Sequence, residues 1–201
     1  IGCGRISANH VVAAQKNQLD IVAICDLVQE NMEDKLLKFR LPETVKLYKD
    51  YHELLEIEKP DLVAIATESG KHAEIAIDCI NAGCHVIIEK PIALSMSDAD
   101  MIIKTAKMNH VKVCACHQNR FNKSIQKIYE AIQMRRMGKI LYGTAHIRWA
   151  RDHEYYDRAK WRGTWAQDGG ALMNQCIHDI DLLRWLMGDE ITEVIGLTDR
   201  L

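Results

Sequence analysis

The sequence predicts an α/β fold: a doubly wound parallel sheet, followed by the first part of an α+β domain with a mostly antiparallel sheet. Three observations predict it. Short apolar runs alternate with helical patterns through residues 1–116. A glycine pair, Gly2-Cys3-Gly4, sits between a strand residue and a helical pattern. After Gln118 the alternation stops, and longer helical patterns flank one half-wet strand pattern and an aromatic stretch. Strands buried on both faces read as continuous apolar runs, and their alternation with helices specifies βαβ units.

Taken in order, Ala8–Gln15 reads as a helix and Ile21–Cys25 as a short strand that ends at Asp26. Asn31–Phe39 is helical and closes before Pro42; Lys46–Tyr48 is a short strand; Tyr51–Ile57 is a short helix that stops before Pro60. Leu62–Ala66 is a buried strand, and His72–Ala82 has helical periodicity with Gly83 placed to end it. His85–Ile88 is the next strand and leads into Glu89-Lys90-Pro91. A helix follows over about 97–109, with Ser97 and Asp98 suited to its first turn, then a strand at Val111–Ala115. Beyond the boundary at 117–121, Ser124–Met137 reads as a helix ending at Gly138, Ile140–Trp149 as a strand with one wet face, and Asp168–Met187 as a helix closed by Gly188. Residues 150–167 form a polar, aromatic loop of a length that is usually functional or disordered. The domains are thus expected at 1–117 and 118–201.

Composition narrows the function. The 201 residues carry 26 basic and 28 acidic side chains, a balance that offers no attraction for nucleic acid. No apolar run reaches membrane-spanning length. The seven cysteines are odd in number, lack a Cys-x-x-Cys pair and sit mostly in apolar runs, so free thiols in a reducing, cytoplasmic setting are expected. The nine histidines show no metal-ligand spacing, and no metal is expected. Ile1 reads as the last residue of a strand, and Glu193–Leu201 as the start of another, which suggests an internal piece of a longer chain.

Four motifs carry chemistry. In Gly2-Cys3-Gly4-Arg5-Ile6-Ser7 the first glycine permits a tight turn, and the second lets backbone approach a pyrophosphate at a helix N-terminus. Ser7, a small residue, replaces the third glycine. Asp26 ends the next strand, where a carboxylate accepts from ribose hydroxyls and repels a 2′-phosphate, so NAD is favoured over NADP. Asp26 also suits a helix cap. The loop Thr67–His72 lies at the same sheet edge and is placed to meet the cofactor or simply to enter a helix. Glu89-Lys90-Pro91 delivers an amine to that edge, either as a solvated charge or as a group tuned by its site. Pro91 restricts Lys90 to extended backbone and permits a cis bond. Asn174 and His178, four apart on one helix, share a face, with Asp181 nearby; His178 is either a packed helical histidine or a base near neutral pH.

Together, Gly2-x-Gly4, Thr67 with His72-Ala73-Glu74, Glu89-Lys90-Pro91 and His178-x-x-Asp181 resemble the glucose–fructose oxidoreductase / inositol dehydrogenase (Gfo/Idh/MocA) family over essentially the whole chain. Gln118–Asn122, Tyr155-Tyr156, Trp161–Trp165 and Gly169–Gln175 are similar to its sugar-nucleotide branch, which oxidises carbon 3 of UDP-linked N-acetylated hexoses or their uronic acids. Many family members have Asp where this chain has Asn174. The resemblance implies NAD held by Gly2, Gly4, Arg5, Ile6, Asp26, Thr67, His72, Glu89 and Lys90, with Asn119, Trp161 and Arg162 beside it. It implies catalysis by Lys90, His178 and Asn174, and substrate contacts from those three with Arg120 and Tyr156. Arg120 or Arg162 would meet a diphosphate or carboxylate, since arginine binds such anions in pairs of bonds. The implied substrate is a small sugar or sugar nucleotide. The full-length protein would be a homo-oligomer, a dimer or tetramer, and would bind neither nucleic acid nor membrane. An inositol or simple-sugar dehydrogenase, a redox-assisted glycosidase and a non-catalytic NAD or sugar sensor are the alternatives.

Overall fold

In the computed structural model, residues 1–197 are described. Five parallel strands build the first part: β1 (Ala23–Cys25), β2 (Lys46–Tyr48), β3 (Leu62–Ile65), β4 (His85–Ile88) and β5 (Val113–Ala115). β1 pairs with β2, and β4 lies between β3 and β5. Residues 1 and 2 join the two groups. The Ile1 amino group donates to Ala64 O at 2.8 Å, Ala66 N donates to Ile1 O at 2.8 Å, and Gly2 N donates to Cys25 O at 2.8 Å. All five strands therefore end at one edge, where the turns after Cys25, Tyr48, Ile65, Ile88 and Ala115 gather with the turn after Ile1.

The helices lie where the sequence places them, within a residue or two: α1 (Ser7–Lys16), α2 (Gln29–Phe39), α3 (Tyr51–Glu58), α4 (His72–Asn81) and α5 (Met96–Met108). Their apolar faces form one core with the strands, and Ile65, Ala76, Cys79, Ile80, Ile88 and Ile102 are fully buried in it. Excluding each of these isoleucine side chains from water contributes roughly 1.5–3 kcal/mol and fixes the rigid sheet edge that carries the site. Two caps set the entry of helices into that edge. Asp50 accepts from His52 N at 2.8 Å, and Ser95 accepts from Asp98 N at 3.1 Å. The α5 cap is thus Ser95 rather than Ser97, because Ser95 is the residue whose extended backbone turns its hydroxyl onto the first free N–H groups.

The second part departs further from expectation. α6 (Lys123–Gln133) stops short of Met137. Arg135 adopts φ 53°, and Arg136 N and Arg135 N donate back to Ala131 O and Ile132 O, both at 2.9 Å. This is a Schellman closure built on arginine, where glycine is usual, and it lies upstream of the expected stop at Gly138. A short helix, α7 (His153–Asp157), interrupts the aromatic loop; its cap Asp152 accepts from Tyr155 N at 2.9 Å. The last helix begins later than Asp168, because Gly169 and Gly170 hold φ of 73° and 79°. A π-helical turn spans Leu172–Cys176, and α8 runs Ile177–Met187, ending at Gly188 with φ 71°.

Ile140–Trp149 forms no ladder with any described residue. A strand exists only where a neighbour meets its backbone groups, and residue 143 instead lies against Leu183 and Met187 of α8. The strand pattern expected from Glu193 takes no regular structure through Leu197, and its remainder, 198–201, lies outside the described residues. Among the described residues, no helix is long and apolar enough to cross a membrane.

Candidate active site

The glycine turn opens at the sheet edge. Gly2 has φ +86°, and a Cβ there would stand 2.7 Å from the Ala66 carbonyl carbon and oxygen, so the chain passes where only glycine fits. A Cβ at Gly4 would meet nothing within 4 Å. Among the described residues, the N–H groups of Gly4, Arg5 and Ile6 make no hydrogen bond. Bare backbone beside open space at the N-terminus of α1 fits a pyrophosphate. Ser7 is buried and its hydroxyl donates to Gly4 O at 2.6 Å, which holds the turn closed in place of the third glycine. Asp26 does not cap α2, whose N-cap is Val28. Its carboxylate instead accepts from Cys3 N at 2.6 Å, Val28 N at 2.8 Å and Asn31 Nδ2 at 3.1 Å. It still lines the cleft beside the turn.

Glu89-Lys90-Pro91 sits at the centre of this edge, with a cis Lys90–Pro91 bond. Two buried histidine contacts fix it. His72 Nδ1 lies 2.7 Å from Pro91 O and its Nε2 3.2 Å from Thr67 O, which ties the Thr67 loop to the proline turn. His10 Nε2 lies 2.9 Å from the buried Glu89 carboxylate. Burial alone would raise the Glu89 pKa, but the His10 bond and charge, with Lys90 beside it, bring it below the usual value. Cys116 joins this pair, so His10, Glu89 and Cys116 place one ligand-type atom each within 4.8 Å of one another. Spacing gave no sign of that convergence, because the three come from α1, the end of β4 and the end of β5. Burial, then Glu89, pushes the Cys116 thiol up to about 12, so it stands as a neutral donor there.

Lys90 is aimed across the cleft. Its amine donates to Asn174 O at 2.6 Å and to Asn174 Oδ1 at 3.2 Å. Burial lowers its pKa, against the raising effect of Glu89 and Asp168. The π-helical turn makes the backbone contact possible, since such turns interrupt the regular i to i−4 pattern and are frequent at functional sites. One turn on, His178 lines the same cleft, and its buried Nδ1 has no partner among the described residues. Burial, then the charges of Lys90 and His117, lowers its pKa. An imidazole drawn toward its neutral form near a half-buried amine is placed to accept a proton. Asp181 is turned away from this pair. It takes both bonds of the Arg120 guanidinium, one at 2.7 Å, and lies 3.5 Å from His117 Nδ1.

The cleft holds about 1000 Å³. Its far wall is a ladder of arginines and aromatics that sequence reading located only in part. Arg151 lies 4.1 Å over Trp149 and 4.8 Å over Tyr155, and Arg162 lies 4.4 Å over Tyr155. The Nε atoms of Arg151 and Arg162 are buried without a partner among the described residues. Of the expected residues, the glycine turn, Asp26, Thr67, His72, Glu89, Lys90, Trp161, Arg162, Asn174 and His178 line this one cleft. Asn119, Arg120 and Tyr156 do not. Arg120 is occupied by Asp181, Tyr156 packs edge-on against Tyr155 and over Gly163, and Asn119 sits in a 3-10 turn beside Gln118, which faces the cleft in its stead. Adjacent residues on a tight turn point in different directions, so a motif places the segment without fixing which member faces in.

Comparison with known proteins completes the picture. Residues 1–117 match the model of an oxidoreductase family with an NAD-binding Rossmann fold, and residues 125–201 match the GFO/IDH/MocA C-terminal domain. The chain belongs to the Gfo/Idh/MocA family. That family's N-terminal domain is described as an NAD-binding Rossmann fold, and its relatives include sugar and polyol dehydrogenases. A myo-inositol 2-dehydrogenase of Thermotoga maritima is 31% identical over 199 residues, which cover 98% of this chain and 56% of that protein. The WlbA dehydrogenase of Bordetella pertussis, solved with NADH and UDP-GlcNAcA, is 38% identical with a TM-score of 0.86, over 93% of this chain and 58% of its own. The Chromobacterium violaceum WlbA dehydrogenase, solved with the same two ligands, is 35% identical with a TM-score of 0.86, over 92% and 53%. The chain spans about half the length of the curated relatives it matches.

Proposed function

We propose that the protein is an NAD-dependent dehydrogenase that oxidises a secondary hydroxyl of a sugar, at carbon 3 of a UDP-linked N-acetylated hexuronate or hexose. The observation that carries this reading is that the half-buried Lys90 amine and the His178 imidazole, whose Nδ1 has no partner among the described residues, line the same cleft as the glycine turn. When bound, NAD supplies the acceptor for the carbinol hydrogen and its electron pair. Gly4, Arg5 and Ile6 would bind the pyrophosphate with their free N–H groups, and Asp26 would face the adenosine ribose. Lys90 would donate to the reacting oxygen and hold it in place. His178 would take the hydroxyl proton as the carbonyl forms. Asn174 keeps the Lys90 amine aimed at that oxygen.

The arginine ladder supports an anionic substrate. Arg151 and Arg162 both line the cleft, and guanidinium groups stacked on aromatic rings suit diphosphate and carboxylate. Likeness to two dehydrogenases solved with UDP-GlcNAcA supports the same substrate. A second reading, oxidation of an inositol, is favoured by the identity to myo-inositol 2-dehydrogenase. The proposal extends to a second domain with a mostly antiparallel sheet, a dimer or tetramer and a cytoplasmic setting. Sedimentation of the full-length protein measures the assembly.

The deciding experiment mixes the full-length protein with NAD and, separately, UDP-GlcNAcA, UDP-GlcNAc and myo-inositol, and follows NADH absorbance. A rise with a UDP sugar, lost by at least about a hundredfold in K90M while NADH binding persists, is the expected result. A rise with inositol alone transfers the assignment to the second reading, and a K90M variant as active as wild type removes Lys90 from the chemistry.

A further inference from the structure

Behind the cleft wall lies a buried group with no role in the mechanism above. Asp168 is 3% exposed. Among the described residues its carboxylate forms no ion pair within 4 Å; it is satisfied by two neutral donors. Gly163 N donates to Oδ2 at 2.7 Å, and Asn174 Nδ2 donates to Oδ1. The second bond gives the Asn174 amide a single orientation, with Nδ2 toward Asp168 and Oδ1 toward Lys90. We propose that Asp168 is a positioning residue: by accepting from Asn174 it leaves only acceptor atoms facing the Lys90 amine, and so aims that amine at the reacting oxygen. The inference rests on the reading of Lys90 as the catalytic amine.

The chemistry of the two side chains makes the assignment specific. A carboxylate offers only acceptors, and both of its oxygens face N–H groups. An amide at position 168 would turn an NH2 toward one of them. If the Gly163 bond is kept, the Asn174 amide meets a donor and reverses, and its own NH2 then faces the ammonium of Lys90. Gly163 also continues from Trp161 and Arg162, so Asp168 ties that segment of the cleft wall to the π-helical turn that holds Lys90. Its charge adds a second effect. Lys90 is faced by Glu89 at its own strand end, by Asp168 and Asn174 from the π-helical side, and by His178 of α8, with His117 beyond. Of these, Asp168 and Glu89 are the anions that favour the ammonium form.

The test uses the full-length protein as wild type, Asp168→Asn and the double variant Asp168→Asn with Asn174→Asp. The double exchange restores every partner: the new amide at 168 accepts from Gly163 and donates to the new carboxylate at 174, whose other oxygen accepts from Lys90. Three readouts are taken: kcat and KM with UDP-GlcNAcA and NAD, NADH affinity by fluorescence, and the pH midpoint at which Lys90 is acetylated by acetic anhydride, followed by mass spectrometry. The single variant should lose about 100-fold in kcat with unchanged NADH affinity, and its Lys90 midpoint should fall. The double variant should recover at least about tenfold of the lost kcat and return the midpoint upward. A single variant with wild-type kcat and midpoint overturns the proposal, and so does a double variant no better than the single. The labelling needs no substrate, so wild-type inactivity on UDP sugars counts against the proposed function while the midpoints still decide the role of Asp168. Where the single variant does not fold, the double variant carries the comparison: a Lys90 midpoint below that of wild type overturns the role.

Discussion

Lys90 and His178 are both drawn toward their neutral forms by the same wall. Each is drawn below its ordinary pKa first by burial, and the Lys90 charge lowers His178 further. A base that must be unprotonated to act gains from this, since it remains available at pH values where free imidazole is charged. The acidic limb of kcat/KM for sugar oxidation should therefore lie below pH 6.5, the ordinary imidazole value. The coupling can be tested without turnover. Removing the Lys90 charge in K90M relieves a cation beside His178, which favours its protonated form, so the His178 midpoint in an NMR titration should rise. A midpoint that falls or stays fixed would mean that the two side chains do not share a field, and the division of labour between them would lose its basis.

The two glycines of the first turn have opposite duties, and substitution separates them. Gly2→Ala puts a methyl group 2.7 Å from the Ala66 carbonyl on a backbone at φ +86°. The left-handed conformation alone costs about 1–2 kcal/mol for an L residue, and the β3 end must shift as well, so the melting temperature should drop. Gly4→Ala meets nothing, and stability should stay within about 0.5 kcal/mol. Its methyl group would fill the approach to the free N–H groups of the turn, and NADH affinity should fall. Equal thermal losses in both variants would contradict this division. The turn could be read from sequence because glycine is required there by backbone geometry. The same holds for β3 and β4, whose apolar runs have no other use, and for Gly188, which ends α8. What could not be read follows from local geometry that sequence does not dictate. Arg135 closes α6 in a conformation that glycine normally marks. A π-helical turn at Leu172–Cys176 arises in a stretch that reads as ordinary helix. Asn174 and His178 did converge on one cleft, but through that turn rather than through simple i, i+4 spacing. Asp168 was hidden because its role depends on two partners, Gly163 and Asn174, that a linear reading treats as separate motifs.

Across the whole molecule, buried titratable groups fall into two sets that bound the pH range of stability. His72, His117 and His178 are each lowered from 6.5, first by burial. The unfolded chain then binds protons near pH 6.5 that the folded chain refuses, so stability contributed by neutral burial is full above 6.5 and declines as pH falls through the folded values. Glu89 adds a later loss, because its folded pKa lies below 4.5 and its ionised form is the one bonded to His10. At the other end, burial raises Cys3 and Cys25 from 9.0 to about 11 and Cys79 and Cys116 to about 12, and raises Cys84 as well. These thiols release protons on unfolding in that range, so stability is full below pH 9 and declines above it. Lys90 acts in the opposite sense, since its lowered folded pKa makes the unfolded chain the better proton binder below 10.5, but it is one group against five. Urea midpoints should therefore form a plateau between pH 6.5 and 9 with a decline on each side. His72 deserves the largest single share of the acid edge, because it is 1% exposed and its ring nitrogens face the Pro91 and Thr67 carbonyls. A second proton would give the Nε2 atom a bond to Thr67 O, yet burial outweighs that gain. His72→Gln should lower the plateau and flatten its acid side together, and a variant that lowers the plateau with the acid slope intact would place the acid sensitivity in His117 and His178.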